Sequence, residues 1–185
     1  MKEIATPLEL NRAVLAQKAL LHAQGIIKLL PNLKGGDARS AMWGALCVFY
    51  ARPFMRSNRT LGTISHKLVP RELRDVHEEI IEYRNTIAAH SDYNTEDPSE
   101  PVNGVTFMRS DEGISVEIIN LEPSEELLDN TRILINSVLA MITKLILACL
   151  NEGPASKYPF KSGRYKLKVD SKDDWFEPVE KENKS

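Results

Sequence analysis

The chain has 185 residues, of which 42% are apolar and 27% are charged, and its formal net charge at pH 7 is −2. These values are typical of a globular chain with one domain and a core of its own. The near-zero net charge excludes a chain that binds nucleic acid through its overall charge.

Helix one is predicted to begin at Pro7 and to end before Pro31. Thr6 can cap this helix, proline is favoured at its first position, and Glu9 completes a capping box. The helix is therefore predicted with both of its ends from local signals alone.

Helix two is predicted after a turn over 32–37, with Asp37 as its cap and with a kink or an end at Pro53. Gly35 and Gly36 lie in that turn. Two glycines before a helix can cradle a phosphate, but without the rest of a phosphate-binding fingerprint they are more often a plain interhelical turn.

Helix three is predicted from Pro70 to about His90, after a basic and polar connector. Alternating residues around a Ser-Asp-Glu-Gly turn then predict a β-hairpin at about 104–119, within an insertion at about 102–121. Helix four is predicted from about Pro123 to Asn151, with three glutamates near its positive N-terminal end.

The predicted fold class is mainly α, an antiparallel four- to five-helix bundle with a β-hairpin inserted between helices three and four. The bundle domain covers 1–151, and 152–185 form a C-terminal extension that is predicted to be partly disordered. Aromatic side chains in this extension dock on the bundle or on a partner: Tyr165, Trp175 and Phe176.

Three features of the sequence indicate a cytoplasmic protein without a membrane span. Cys47 and Cys149 lie in apolar helical contexts and resemble buried thiols rather than a disulfide. The N-terminus has no secretion signal. The apolar stretch 133–150 approaches membrane length, but polar residues interrupt it, and a central bundle helix is the better interpretation.

Charge is unevenly distributed along the chain. The segment from Ala38 to Arg71 has no acidic residue, whereas 92–129 contain eleven acidic residues and the single basic residue Arg109. This asymmetry predicts one positive and one negative surface, either for binding a partner or as two solvated faces.

Arg84 lies on the apolar side of helix three. At 100° per residue, the apolar stripe is centred near Ile80, and Arg84 lies roughly 40° from that centre. A buried guanidinium needs partners, because an uncompensated buried charge costs several kcal/mol. Arg84 therefore reaches the bundle edge, pairs with an acid, or faces a cleft or a subunit interface.

The segment YRNTIAAHSD (83–92) resembles the R-x4–6-H motif of the HEPN (higher eukaryotes and prokaryotes nucleotide-binding) superfamily. The bundle over 1–151 is similar to the domains of that superfamily. The segment also resembles abortive-infection-type members, in which a polar residue such as Asn85 follows the arginine. Two other Arg–His pairs have similar spacing, but only Arg84 and His90 lie late in helix three.

The resemblance implies a metal-independent RNA endonuclease of the toxin or phage-defence type, without a cofactor. It implies a homodimer with the two motifs facing each other, and an antitoxin or other protein partner is compatible with it. The ribose 2′-hydroxyl would attack the phosphorus and leave a 2′,3′-cyclic phosphate. His90 would exchange protons, Arg84 would bind the phosphate, and Asn85 would orient His90 or the substrate.

RNA-binding residues are expected in the acid-free stretch, namely Arg52, Arg56 and Arg59. A solvated basic connector is the alternative interpretation of these three. On a regular helix Arg84 and His90 lie about 120° apart. They would converge if the helix frays at His90 or if two chains supply opposite halves of the site.

Two non-catalytic functions also fit the sequence. In the first, the chain is a helical interaction or nucleotide-binding module, and Arg84 is a structural residue paired with an acid at the dimer interface. In the second, the acidic hairpin of a plain scaffold binds a basic partner. His22 and His66 are interpreted as an edge and a loop histidine, and no zinc-ligand spacing or phosphate-binding loop is present.

Overall fold

The computed structural model describes residues 4–55, 63–89, 105–110, 113–118, 122–158, 164–171 and 174–179. Within these residues the chain forms four α-helices, so the prediction of a mainly helical fold is confirmed. The helices are α1 (Pro7–Leu29), α2 (Asp37–Ala51), α3 (Arg74–Ala89) and α4 (Glu125–Asn151).

Short elements accompany the helices. Strands β1 (Val105–Ser110) and β2 (Gly113–Ile118) pair antiparallel between α3 and α4 in chain order, and β3 (Tyr165–Leu167) pairs antiparallel with β4 (Phe176–Pro178). Single turns of 3₁₀ helix occur at Leu30–Asn32, Arg52–Phe54, His66–Leu68, Arg71–Leu73 and Pro154–Lys157.

The four helices share one core. Helix α1 contacts α2 and α4, and α3 contacts the same two helices from the other side. Each helix contributes fully buried side chains, such as Leu20 from α1, Leu46 from α2, Ile80 from α3 and Leu134 from α4. Removal of these apolar side chains from water stabilises the packing of the helices on one another.

The N-terminus of α1 carries the predicted capping box. The backbone N–H of Glu9 donates to Thr6 Oγ1 over 3.2 Å, and the backbone N–H of Thr6 donates to Glu9 Oε2 over 3.1 Å. Two backbone donors without a helical partner are thereby satisfied. This prediction is confirmed.

The N-terminus of α2 differs from the prediction. Asp37 is the first helical residue, the cap is Gly36 with a φ of 105°, and no side chain caps this end. The backbone N–H of Gly36 instead donates to the Glu122 carboxylate, and a Cβ on Gly35 would lie 3.1 Å from the same group. Glu122 comes from just before α4, 86 positions along the chain, so no local signal announces it.

The same carboxylate decides between the two interpretations of the glycine turn. Glu122 fills the position that an anion would take beside Gly35 and Gly36. Arg39, in the first turn of α2, pairs with Glu122 and Glu125 and joins the start of α2 to the start of α4. The turn is a structural junction rather than a phosphate cradle.

Helix α4 is apolar for most of its length. By length and composition alone, the stretch from Glu125 to Lys157 qualifies as a possible membrane-spanning helix, because an 18-residue window within it has a mean hydropathy of 2.2. Two polar residues that interrupt it hydrogen-bond to α1. Gln24 Nε2 donates to Asn136 Oδ1 over 2.8 Å, and Gln17 Nε2 donates to Thr143 Oγ1 over 2.9 Å.

The C-terminal extension packs on the helices. Trp175 is 3% exposed within the core cluster, and its backbone N–H donates to Tyr158 Oη over 2.8 Å. Of the two docking sites left open for the aromatic residues, the bundle itself is therefore the one that Trp175 uses. The partial disorder of this extension stays a prediction, and 180–185 lie outside the described residues.

Candidate functional site

The C-terminal half of α3 is held against α2 by aromatic packing. Tyr83 meets the buried Trp43 edge to face, with ring centroids 5.7 Å apart and an interplanar angle of 85°. Burial, followed by the negative charge of Glu79, raises the pKa of Tyr83. The backbone that carries the next residue, Arg84, is thus fixed by a packed ring.

Arg84 is half-buried beside this contact, and Asn85 is exposed. Arg84 Nη1 donates to Asn85 Oδ1 over 3.2 Å. Among the described residues, no carboxylate lies within 4.0 Å of Arg84, since the ion pairs found there involve other cations. A guanidinium has five N–H donors, so most of those of Arg84 remain for a ligand or a partner.

The other predicted site residues divide into two groups. Arg52 is exposed in the 3₁₀ turn Arg52–Phe54 that follows α2. His90, Arg56 and Arg59 lie outside the described residues. The convergence of Arg84 with His90 and the grouping of the three basic residues therefore stay predictions.

A second cluster of polar side chains lies near the start of α3. Tyr50 Oη of α2 is 2.7 Å from His77 Nδ1 of α3, and His77 Nε2 is 2.9 Å from His66 Nδ1 in the 3₁₀ turn before α3. The ring of Phe54 packs against both histidines, with centroid distances of 4.7 and 5.4 Å. We call Tyr50, His77 and His66 the tyrosine–histidine chain.

Burial controls the protonation of this chain. Tyr50 is fully buried and His77 is 4% exposed, whereas His66 is exposed. Burial raises the pKa of Tyr50, so its hydroxyl keeps its proton. Burial and then the positive charge of His66 lower the pKa of His77 to about 4, so His77 is neutral near pH 7.

These facts assign the hydrogens by bond satisfaction. Among the described residues, the Tyr50 hydroxyl has a hydrogen bond to His77 alone, so its single proton is assigned to a bond donated to His77 Nδ1. His77 then carries its own proton on Nε2 and donates to His66 Nδ1. His66, when neutral, is left with an Nε2–H that is not used within the chain.

His66 opens on a cleft of 410 Å³. We call this space the His66 cleft, and its walls are Glu9 and Arg12 of α1 together with 63–67. A buried tyrosine and a buried histidine are thus connected to an exposed histidine, and the exposed ring lies beside two cations, Arg12 and Lys67.

Metal and thiol chemistry have no support in the part of the chain that the structure describes. No group of three histidine, cysteine or acidic side chains there has a geometry that could hold a metal ion. Cys47 and Cys149 are buried free thiols, and burial raises the pKa of Cys47 to about 12. Neither thiol is a nucleophile near neutral pH.

No family model, curated protein or solved structure matches this chain.

The sequence indicated candidate site residues at the C-terminal end of α3, near Arg84. It did not indicate the contacts of the tyrosine–histidine chain. His66 lies in the expected connector and is exposed, but it is more than a plain loop histidine, because its Nδ1 is hydrogen-bonded to His77 Nε2. One signal was available, since His77 lies roughly 60° from the centre of the apolar stripe of α3. A histidine at such a position needs partners from other elements, but the sequence does not name them.

Proposed function

We propose that this chain is a metal-independent RNA endonuclease in which the end of α3 supplies Arg84, Asn85 and His90. The observation that carries the proposal is the state of Arg84. Its guanidinium is half-buried, is bonded to Asn85, and has no carboxylate within 4.0 Å among the described residues. A cation in that state fits an anionic ligand better than a structural ion pair.

The chemistry follows from the three residue types. The ribose 2′-hydroxyl attacks the adjacent phosphorus, its proton passes to a base, and the P–O5′ bond breaks as the 5′-oxygen gains a proton. His90 is suited to either proton transfer near neutral pH. Arg84 donates to the non-bridging phosphate oxygens as negative charge develops on them. The products are a 2′,3′-cyclic phosphate and a 5′-hydroxyl.

Two arrangements support the reaction in this proposal. The helices form an antiparallel bundle with the β1–β2 hairpin inserted between α3 and α4, and two such bundles form a homodimer. Each chain then brings one Arg84 and one His90 to a shared groove, which resolves their separation of about 120° on one helix. Asn85 holds the Arg84 guanidinium in position.

RNA outside the reacting phosphate is bound by Arg52, Arg56 and Arg59. The exposure of Arg52 at the end of α2 is compatible with a backbone contact. The protein acts in the cytoplasm as a toxin or phage-defence nuclease, and a protein partner such as an antitoxin restrains it.

The test is cleavage of end-labelled total RNA in excess chelator by the wild type, Arg84→Ala and His90→Ala. Arg74→Ala is the matched control, because Arg74 is an exposed arginine at the start of the same helix. We expect cleavage products with 2′,3′-cyclic phosphate ends from the wild type and from Arg74→Ala. We expect a loss of about a hundredfold or more in the other two variants.

Circular dichroism and the sedimentation of each variant distinguish catalysis from structure. Wild-type protein that fails to cleave RNA, or equal cleavage by all four proteins, contradicts the proposal. An Arg84→Ala variant that no longer folds or dimerises assigns Arg84 to a structural role, as in a non-catalytic interaction or nucleotide-binding module.

A further inference from the structure

The His66 cleft collects hydrogen-bond donors on one side of the molecule. Arg12 comes from the second turn of α1, and His66 and Lys67 come from the 3₁₀ turn His66–Leu68. These residues are distant in sequence, so the fold rather than a local motif brings them together. The cleft lies near the start of α3, because His66 is hydrogen-bonded to His77 there. Arg84 lies near the other end of the same helix.

Arg12 is the strongest indication of a ligand. It is half-buried, its Nε–H is buried without a hydrogen-bond partner in the described structure, and no carboxylate there lies within 4.0 Å. Arg39 also has a buried Nε–H without a hydrogen bond, but its charge is paired with Glu122 and Glu125. The charge of Arg12, by contrast, has no carboxylate partner among the described residues. A partly desolvated guanidinium without such partners is stabilised when an anion enters beside it.

Other groups of the cleft provide hydrogen-bond donors in addition to those of Arg12. Ser65 Oγ accepts a hydrogen bond from the backbone N–H of Lys67 over 3.2 Å, so its own hydroxyl proton can be given to a ligand. Lys67 is exposed and supplies a second positive charge. His66 also lines the cleft, and its Nε2 is not used within the tyrosine–histidine chain, so this ring nitrogen can act as a further donor.

Glu9 is the one acidic residue that lines the cleft, and it is already engaged. Its Oε2 accepts from the backbone N–H groups of Ala5 and Thr6 over 2.8 and 3.1 Å, and from Thr6 Oγ1 over 3.2 Å. These bonds stabilise the charge of Glu9 within the helix cap. Arg12 and Lys67 together outweigh it, so the cleft favours an anion.

We propose that the His66 cleft binds the phosphate group of a small phosphomonoester, with Arg12, Lys67 and His66 as donors. A tetrahedral phosphate presents more acceptor oxygens than a planar carboxylate and therefore matches donors that arrive from several directions. The volume of 410 Å³ suits a ligand of that class. This site does not depend on RNA cleavage at the other end of α3.

The experiment is a titration of the full chain with inorganic phosphate at constant ionic strength, followed through the ring nitrogen signals of the histidines by NMR. We expect a saturable shift at His66. Arg12→Ala should weaken the affinity by on the order of tenfold. Arg74→Ala, a matched removal of an exposed arginine outside the cleft, should leave the affinity unchanged.

Lys67→Ala keeps the test decisive if Arg12→Ala fails to fold, because Lys67 is exposed. We expect it to weaken phosphate binding. The absence of a saturable shift at His66 overturns the proposal. An equal loss of affinity in Arg74→Ala and in the cleft variants also overturns it, because that result indicates non-specific attraction.

Competition identifies the source of the phosphate. Displacement of inorganic phosphate by a nucleoside 5′-monophosphate, but not by an RNA oligonucleotide with 5′-hydroxyl and 3′-hydroxyl ends, supports a phosphomonoester site. Displacement by the oligonucleotide alone overturns that assignment and indicates that the cleft binds a backbone phosphate of RNA instead.

Discussion

His77 and Arg84 lie seven residues apart on α3 and therefore on nearly the same side of the helix, about 20° apart. The two side chains have different kinds of hydrogen-bond partner. Both ring nitrogens of the buried His77 have partners from other elements, Tyr50 and His66. The half-buried Arg84 is bonded to its own neighbour, Asn85. The polar groups near the start of α3 thus have partners within the fold, whereas most donors of Arg84 near its end have no partner among the described residues.

This difference concerns stability as well as function. A buried polar group whose partners are all present becomes part of the fold, and removal of one partner leaves the others unsatisfied. A half-buried cation with few partners contributes little to the fold and remains available for binding. Substitution of the buried His77 should therefore destabilise the protein, and substitution of the half-buried Arg84 should change function instead.

The largest expected effect is that of His77→Ala. The substitution leaves a cavity and removes the hydrogen-bond partner of the buried Tyr50 hydroxyl, so the free energy of unfolding should fall by about 4 kcal/mol. Urea denaturation of the wild type and the variant measures this change. His22→Ala is the control, because His22 is exposed on α1 and its loss should change stability by less than about 0.5 kcal/mol. A similar loss in both variants would contradict the comparison.

Acid should destabilise the protein through the same residue. The pKa of His77 is about 4 in the folded protein against 6.5 as its ordinary value. Above pH 6.5 both states are neutral at this site, whereas between pH 6.5 and 4 the unfolded chain takes up a proton that the folded protein does not. Stability is therefore lost as the pH falls through this window, by about 3 kcal/mol in total.

Urea denaturation at pH 7.0, 6.0 and 5.0 measures this loss, above the range in which most carboxylates titrate. The control is His77→Phe, which keeps a ring in the core and has no group to protonate. Its stability should depend less steeply on pH than that of the wild type. Parallel pH profiles for the two proteins would show that His77 is not the source.

Tyr50→Phe should have an intermediate effect. It removes one hydroxyl and leaves His77 Nδ1 without a donor, so the free energy of unfolding should fall by about 2 kcal/mol. It should also change the ring nitrogen pattern of His66, because its tautomer is no longer fixed through His77. NMR of the histidine rings measures the second effect. An unchanged His66 pattern would mean that the tyrosine–histidine chain does not hold His66.

The smallest expected effect on stability is that of Arg84→Ala. Its described hydrogen bond is to a neighbour on the same helix, so the free energy of unfolding should change by less than about 0.5 kcal/mol. Arg39→Ala is the matched control and should destabilise more, because it breaks the junction with Glu122 and Glu125. If Arg84→Ala costs as much as Arg39→Ala in urea denaturation, Arg84 is a structural residue.

Local signals account for the parts of the fold that were predicted well. Thr6 and Glu9 are three residues apart, and their capping box forms within one turn of α1. The apolar periodicity of helix three placed Arg84 beside the stripe centred near Ile80, and Arg84 is half-buried. Such features depend on neighbours along the chain, which a sequence shows directly.

Distant partners account for the parts that were missed or wrong. Asp37 does not cap α2, because it is the first helical residue and Gly36 is the cap, and the backbone N–H of Gly36 donates to Glu122, 86 positions away. Tyr50 and His77 are 27 positions apart, and His66 and His77 are 11 apart. Nothing in the spacing of these residues indicates that their side chains meet.

The sequence by itself determined the approximate positions of the four helices and that α3 carries polar residues on its apolar side, although α3 begins at Arg74 after a 3₁₀ turn rather than at Pro70. Only the tertiary structure decided which of those residues have partners. His77 became part of the core, whereas Arg84 kept most of its donors. The physical reason is that helix formation depends on near neighbours, whereas the hydrogen bonds of a buried side chain depend on the elements that the fold packs against it.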